Sequence, residues 1–155
     1  MVEQLAGAVA RSLVTVVGPQ CAGTIGLLAY WVRTHCDRQP VDWLVIHADR
    51  DDPATFWRSV LAALDLTGVT LPDIEPPVPG ERLPAAFIIR LAARLGEHSR
   101  PVVLVVDDAE HLTRRETVES LDLLVRNVDR LRLVLCARAD VPPSLDLFGP
   151  PLTAP

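Results

Sequence analysis

Four short stretches dominated by aliphatic residues constrain this chain more than anything else in it: LVTVV at 13–17, VDWLVIHAD at 41–49, PVVLVVDD at 101–108 and LRLVLCAR at 131–138. A strand with one face in water alternates apolar and polar side chains. A run that is apolar throughout suits a strand covered on both faces, as in a parallel sheet. The segments between the runs carry a different period. Phe56, Trp57, Val60, Leu61 and Leu64 fall three and four apart, and Phe87, Leu91 and Leu95 recur every fourth residue. Strands alternating with helices predict an α/β fold with a mainly parallel sheet in three layers.

Local signals sharpen the boundaries. Asp52 followed by Pro53 reads as a helix start, with the carboxylate capping free N–H groups and the proline at the first helical position. Helices are expected over 23–33, 83–96 and 116–128, with an N-terminal helical segment expected over 1–10. The stretch 67–80 holds four of the fourteen prolines and no clear period, so it is a loop. At 155 residues the chain suits one domain with a real core, and with 49% apolar content but only seven aromatic residues that core is aliphatic. We expect a domain over 11–138, followed by a proline-rich tail at 139–155.

Composition narrows the function. A net charge of −5 offers no electrostatic footprint for nucleic acid, so no direct nucleic-acid binding by this chain is expected. The longest apolar runs are far too short to span a membrane. No charged-then-apolar leader opens the sequence, and Cys21, Cys36 and Cys136 show no paired spacing. Buried thiols in a reducing, cytoplasmic setting are the expectation.

The stretch VTVVGPQCAGTIGLLAYW, residues 14–31, has the outline of a phosphate-binding loop. Gly18 and Gly23 keep the glycine spacing that lets backbone N–H groups wrap a phosphate at the start of a helix. The working motif then needs a lysine for the β- and γ-phosphates and a hydroxyl for Mg²⁺. This chain has Thr24 and Ile25 there, and no lysine anywhere; all fifteen of its basic residues are arginine. A glycine-turned strand–helix junction with no ligand gives the same spacing.

The run VVLVVDD ends in two acids, where a P-loop NTPase places an Mg²⁺-binding aspartate and a water-activating acid. Asp107 would take the first role and Asp108 the second, as vestiges of a catalytic pair. A strand stopping at a solvated acidic turn is the plainer reading. Arg138, at the end of LVLCAR, is placed to sense a γ-phosphate through charge-assisted hydrogen bonds, or to be a solvated strand cap. His47 and His111 lie near strand ends without metal-like spacing and read as ordinary polar positions.

In this order the pieces resemble the NTPase core of the MalT/LuxR-type STAND regulators, which are AAA+-related. The segments that carry the resemblance are the loop at 14–31, WLVIHADRDDPATFWRSVLAAL, PVVLVVDDAEHL and LRLVLCARADVPPSLDL. The second is the most telling: Asp51, Asp52, Pro53, Phe56 and Trp57 match an aspartate-rich turn, then Pro, then Phe-Trp opening a helix. The resemblance implies a signal-responsive transcription regulator that uses ATP as a switch, with Gly18, Gly23, Thr24, Ile25 and Arg138 around the nucleotide and Asp107 on the metal. With the loop lysine and hydroxyl gone, we expect a degenerate module that does not hydrolyse ATP. The alternatives are a switch domain that binds ATP or ADP without turnover, and an unrelated α/β protein or enzyme. In that fold a fifth strand flanks the first. Here only the proline-broken tail follows Arg138, so residues 13–17 are expected to form an open apolar edge that takes a protein partner or a second copy of the chain.

Overall fold

The computed structural model describes residues 13–17, 26, 42–48, 52–138, 143–148 and 152–153. The aliphatic runs become β1 (Leu13–Val17), β2 (Asp42–His47), β3 (Val102–Asp107) and β4 (Leu131–Ala137). They lie in the order β2-β3-β4-β1, all parallel. The reason is visible in the burial. Leu104, Val106, Leu133 and Leu135 join one hydrophobic cluster, while the alternate residues Val103, Val105, Val134 and Cys136 are also buried. Both faces of β3 and β4 are therefore out of water, as a three-layer fold requires.

Three helices follow the predicted periods: α1 (Pro53–Leu66), α2 (Ala85–Glu97) and α3 (Arg115–Asn127). Asp52 caps α1 as expected, its Oδ2 accepting from the Thr55 N–H at 2.9 Å and the Thr55 hydroxyl at 2.6 Å. Pro53 occupies the first turn, where its missing N–H costs nothing. Phe56 and Trp57 then point inward. The Trp57 ring meets Phe56 edge-on at 5.4 Å and Phe87 of α2 at 5.9 Å. Its indole N–H donates to Ser120 Oγ of α3 at 2.9 Å, and that hydroxyl donates to the Thr117 carbonyl at 2.8 Å. One side chain thus ties three helices together with its polar atom satisfied, which is what a buried tryptophan requires.

Two expectations about the C-terminal part are corrected. Residues 139–155 are not only a tail. A 3₁₀ turn at Pro143–Phe148 buries Leu145 in the core, with Phe148 packed against it. A short fifth strand is also present: β5 (Leu152–Thr153) pairs in parallel with β1 at Val16 and Val17. Prolines 150 and 151 cannot donate to a ladder, and Leu152 and Thr153 are the first residues after them that can. The edge of β1 is covered at its C-terminal end, while the β5 ladder stops short of Leu13, Val14 and Thr15. The helical segment at 1–10 and most of the helix at 23–33 lie outside the described residues; Gly26 is helical and exposed.

Candidate functional site at the strand ends

Parallel register brings four strand ends to one side of the sheet. His47 pairs with Asp107 across β2 and β3, and Val17 pairs with Ala137 across β1 and β4. Arg138, the residue after the end of β4, lies at the same edge, where ligands of open α/β sheets bind. Gly18, Gly23, Thr24 and Ile25 lie outside the described residues, so the loop is known by its sequence alone.

The acidic end is well defined. Asp107 closes β3 with its side chain 16% exposed, and Asp108 follows at 21%. Asp108 takes a left-handed backbone, φ 54°, which aspartate tolerates better than most residues. This sharp turn lets its own N–H donate to Asp107 Oδ1 at 2.9 Å and starts a 3₁₀ turn at Ala109–His111. Arg138 donates to Asp108 Oδ1 from its guanidinium, lies 3.4 Å from Glu110 Oε1, and gives its backbone N–H to Glu110 Oε2 at 3.2 Å. The negative charge of Asp108, with Glu110 behind it, raises the Arg138 pKa above its already high value.

Here the structure departs from the sequence reading. His47 is not an isolated polar position: its Nδ1 lies 3.5 Å from Asp107 Oδ2 and 3.7 Å from Asp108 Oδ2. Residues sixty apart become neighbours because β2 and β3 are adjacent strands in register. The apolar runs gave strands without their order, so no spacing along the chain signals it. Glu110 was missed too; it sits on the turn created by the Asp108 kink. The structure places Asp107, Asp108 and Arg138 together at this end of the sheet. His111 lies on the same turn, and its N–H donates to the Asp108 carbonyl at 3.0 Å.

The two carboxylates suit a hard divalent cation, so the acidic end fits the metal side of a nucleotide site. The loop does not: Thr24 has neither the charge nor the reach of a lysine, and Ile25 cannot ligate Mg²⁺. Arg138 carries the charge for a phosphate but is already held by Asp108 and Glu110. An open groove of ≈ 780 Å³ lies elsewhere, between α1 and the proline-rich loop, lined by Arg58, Leu61, Asp65, Leu71 and Ile74 among others. None of the strand-end groups lines it. No helix among the described residues is long and apolar enough to cross a membrane.

Comparison with known proteins agrees with this fold. Structural neighbours include the Aeropyrum pernix ORC1 protein in complex with DNA, 20% identical with a TM-score of 0.65 over 99% of this chain and 44% of that one. Cdc6p from Pyrobaculum aerophilum is 20% identical, with a TM-score of 0.56 over 89% of this chain and 35% of that one. A chain from Drosophila ORC bound to DNA is 12% identical, with a TM-score of 0.56 over 96% of this chain and 78% of that one. At such identities the likeness concerns the fold. This chain spans less than half the length of the two archaeal proteins, at 44% and 35%. No curated protein sequence matches it. The family match reaches AAA-type P-loop NTPases and does not single out the STAND regulators named by the sequence resemblance. Residues 9–145 match the AAA domain family, and the chain belongs to it.

Proposed function

We propose that this AAA-type domain acts as a regulatory or interaction module that no longer hydrolyses ATP, derived from a STAND regulator of the MalT/LuxR type. One observation carries the reading: the position that serves the β- and γ-phosphates is Thr24, in a chain without any lysine to replace it. Phosphoryl transfer depends almost wholly on positioning and charge stabilisation, and both are reduced here. The tie from Arg138 to Asp108 and Glu110 supports the same view, because the arginine must leave two acids to meet a phosphate.

A second reading, nucleotide binding without turnover, is favoured by Asp107 and Asp108 standing together at the end of β3. ATP and ADP titrations with Mg²⁺, followed by calorimetry, separate the two, and an ATPase assay tests both. Turnover that vanishes in Asp107→Asn would overturn the proposal. The ORC structures contain DNA, whereas the net charge of −5 argues against a phosphate-backbone footprint on this chain. Fluorescence anisotropy with labelled duplex DNA at low salt is expected to show no binding. The STAND subtype predicts a protein partner, and affinity purification of the full-length product from its native cells tests that.

A further inference from the structure

Each of the two strand-end carboxylates has one oxygen engaged and the other turned to His47. Asp107 Oδ1 accepts the Asp108 N–H at 2.9 Å, and Asp108 Oδ1 is held by Arg138. The remaining atoms, Asp107 Oδ2 and Asp108 Oδ2, lie 3.5 and 3.7 Å from His47 Nδ1. Those separations are too long for good hydrogen bonds, whose N···O distances centre near 2.9–3.0 Å. They fit a His–carboxylate ion pair and are equally compatible with atoms that share a metal. Two donors bound at about 2.1 Å in a tetrahedron sit about 3.4 Å apart. One ligand atom from each of His47, Asp107 and Asp108 lies within 4.8 Å of those of the other two.

We propose that His47, Asp107 and Asp108 form a divalent transition-metal site of the Zn²⁺ or Co²⁺ class that fills without nucleotide. The outer support that such ligands need is in place, because the backbone N–H of Asp108 and the guanidinium of Arg138 orient the two carboxylates. One imidazole and two carboxylates favour a borderline cation over Mg²⁺, which demands near-octahedral oxygen coordination and gives up its waters reluctantly. Three protein ligands leave a fourth position open to water or another anion. His47, 63% exposed, leaves a path for the ion. The site does not depend on the regulatory reading, because it involves neither the loop nor a phosphate.

The test is a titration of the full chain with Co²⁺ in the absence of nucleotide, followed by visible absorption and calorimetry. We expect one ion per chain, with ligand-field bands of nitrogen and oxygen donors, displaced by Zn²⁺ and not by equimolar Mg²⁺. His47→Ala weakens Co²⁺ binding about tenfold or more, as losses in the coordination shells do. Asp108→Asn provides the same readout should the first variant fold poorly, with circular dichroism confirming the fold of each. A near-ultraviolet thiolate charge-transfer band would assign the ion to a cysteine and overturn the proposal. So would an affinity unchanged by both substitutions, or the lack of saturable binding.

Discussion

At the scale of single residues, two side chains show how much depends on one atom. Asp52 accepts from Thr55 twice, and these hydrogen bonds, the hydroxyl first, hold its carboxyl below the ordinary carboxylate range. A depressed folded pKa means stability that is present above the unfolded value, about 4, and lost as the pH falls through the lower folded value. Asp52→Ala is expected to cost about 1 kcal/mol at neutral pH by urea denaturation. It should also flatten the acid limb of the stability curve, and an unchanged acid limb would count against the cap. Thr15 presents the opposite case. Its hydroxyl oxygen is buried in β1 with no hydrogen-bond partner among the described residues. Thr15→Val keeps the branched shape and removes the unsatisfied group, so a gain of about 1 kcal/mol is expected by thermal or chemical unfolding.

At the scale of elements, α1 is held to the other helices through Trp57. The residue is fully buried, packs edge-on against two phenylalanines and reaches Ser120 on α3. Trp57→Ala removes this body and opens a cavity, with an expected cost of about 3–5 kcal/mol. Trp57→Phe retains most of the packing but leaves Ser120 without its donor. A smaller loss, about 1–3 kcal/mol, is expected, measured by the shift in denaturation midpoint at constant slope. Equal losses for the two variants would show that the indole N–H contributes little. A second polar join sits at the opposite end of the sheet. Buried Asp42, opening β2, meets His98 at the end of α2 at 2.6 Å and Arg100 at 3.0 Å. Asp42→Ala leaves the His98 ring and the Arg100 guanidinium without this partner and is expected to loosen α2, seen as faster amide exchange in its last turn.

At the scale of the whole molecule, the parallel order β2-β3-β4-β1-β5 decides what the strand ends can do. It places the two acids and Arg138 on one side, and it gives β1 a neighbour on each flank. Among the described residues, the ladder with β5 involves Val16 and Val17 of β1. A strand edge rich in valine pairs readily when uncovered. Removing residues 149–155 is therefore expected to raise the average mass in light scattering as concentration increases, compared with the intact chain. A truncated protein that stays monomeric throughout would show that β5 does not protect this edge.

The sequence alone determined the strands, the helix starts and the α/β class, because those follow from local preferences: aliphatic runs, apolar residues at a period of three to four, and the Asp-Pro cap. It also showed that the loop has Thr24 and Ile25 where a nucleotide site needs lysine and a hydroxyl. The order of the strands and their register were decided by tertiary structure. Each apolar run can pair with any other, and only the packing of helices on the sheet selects neighbours. His47 meets Asp107 through that selection, and Glu110 meets Arg138 through a left-handed turn at Asp108. The short β5 was hidden among prolines for the same reason: two residues carry no period, and only the open flank of β1 gave them a place to pair.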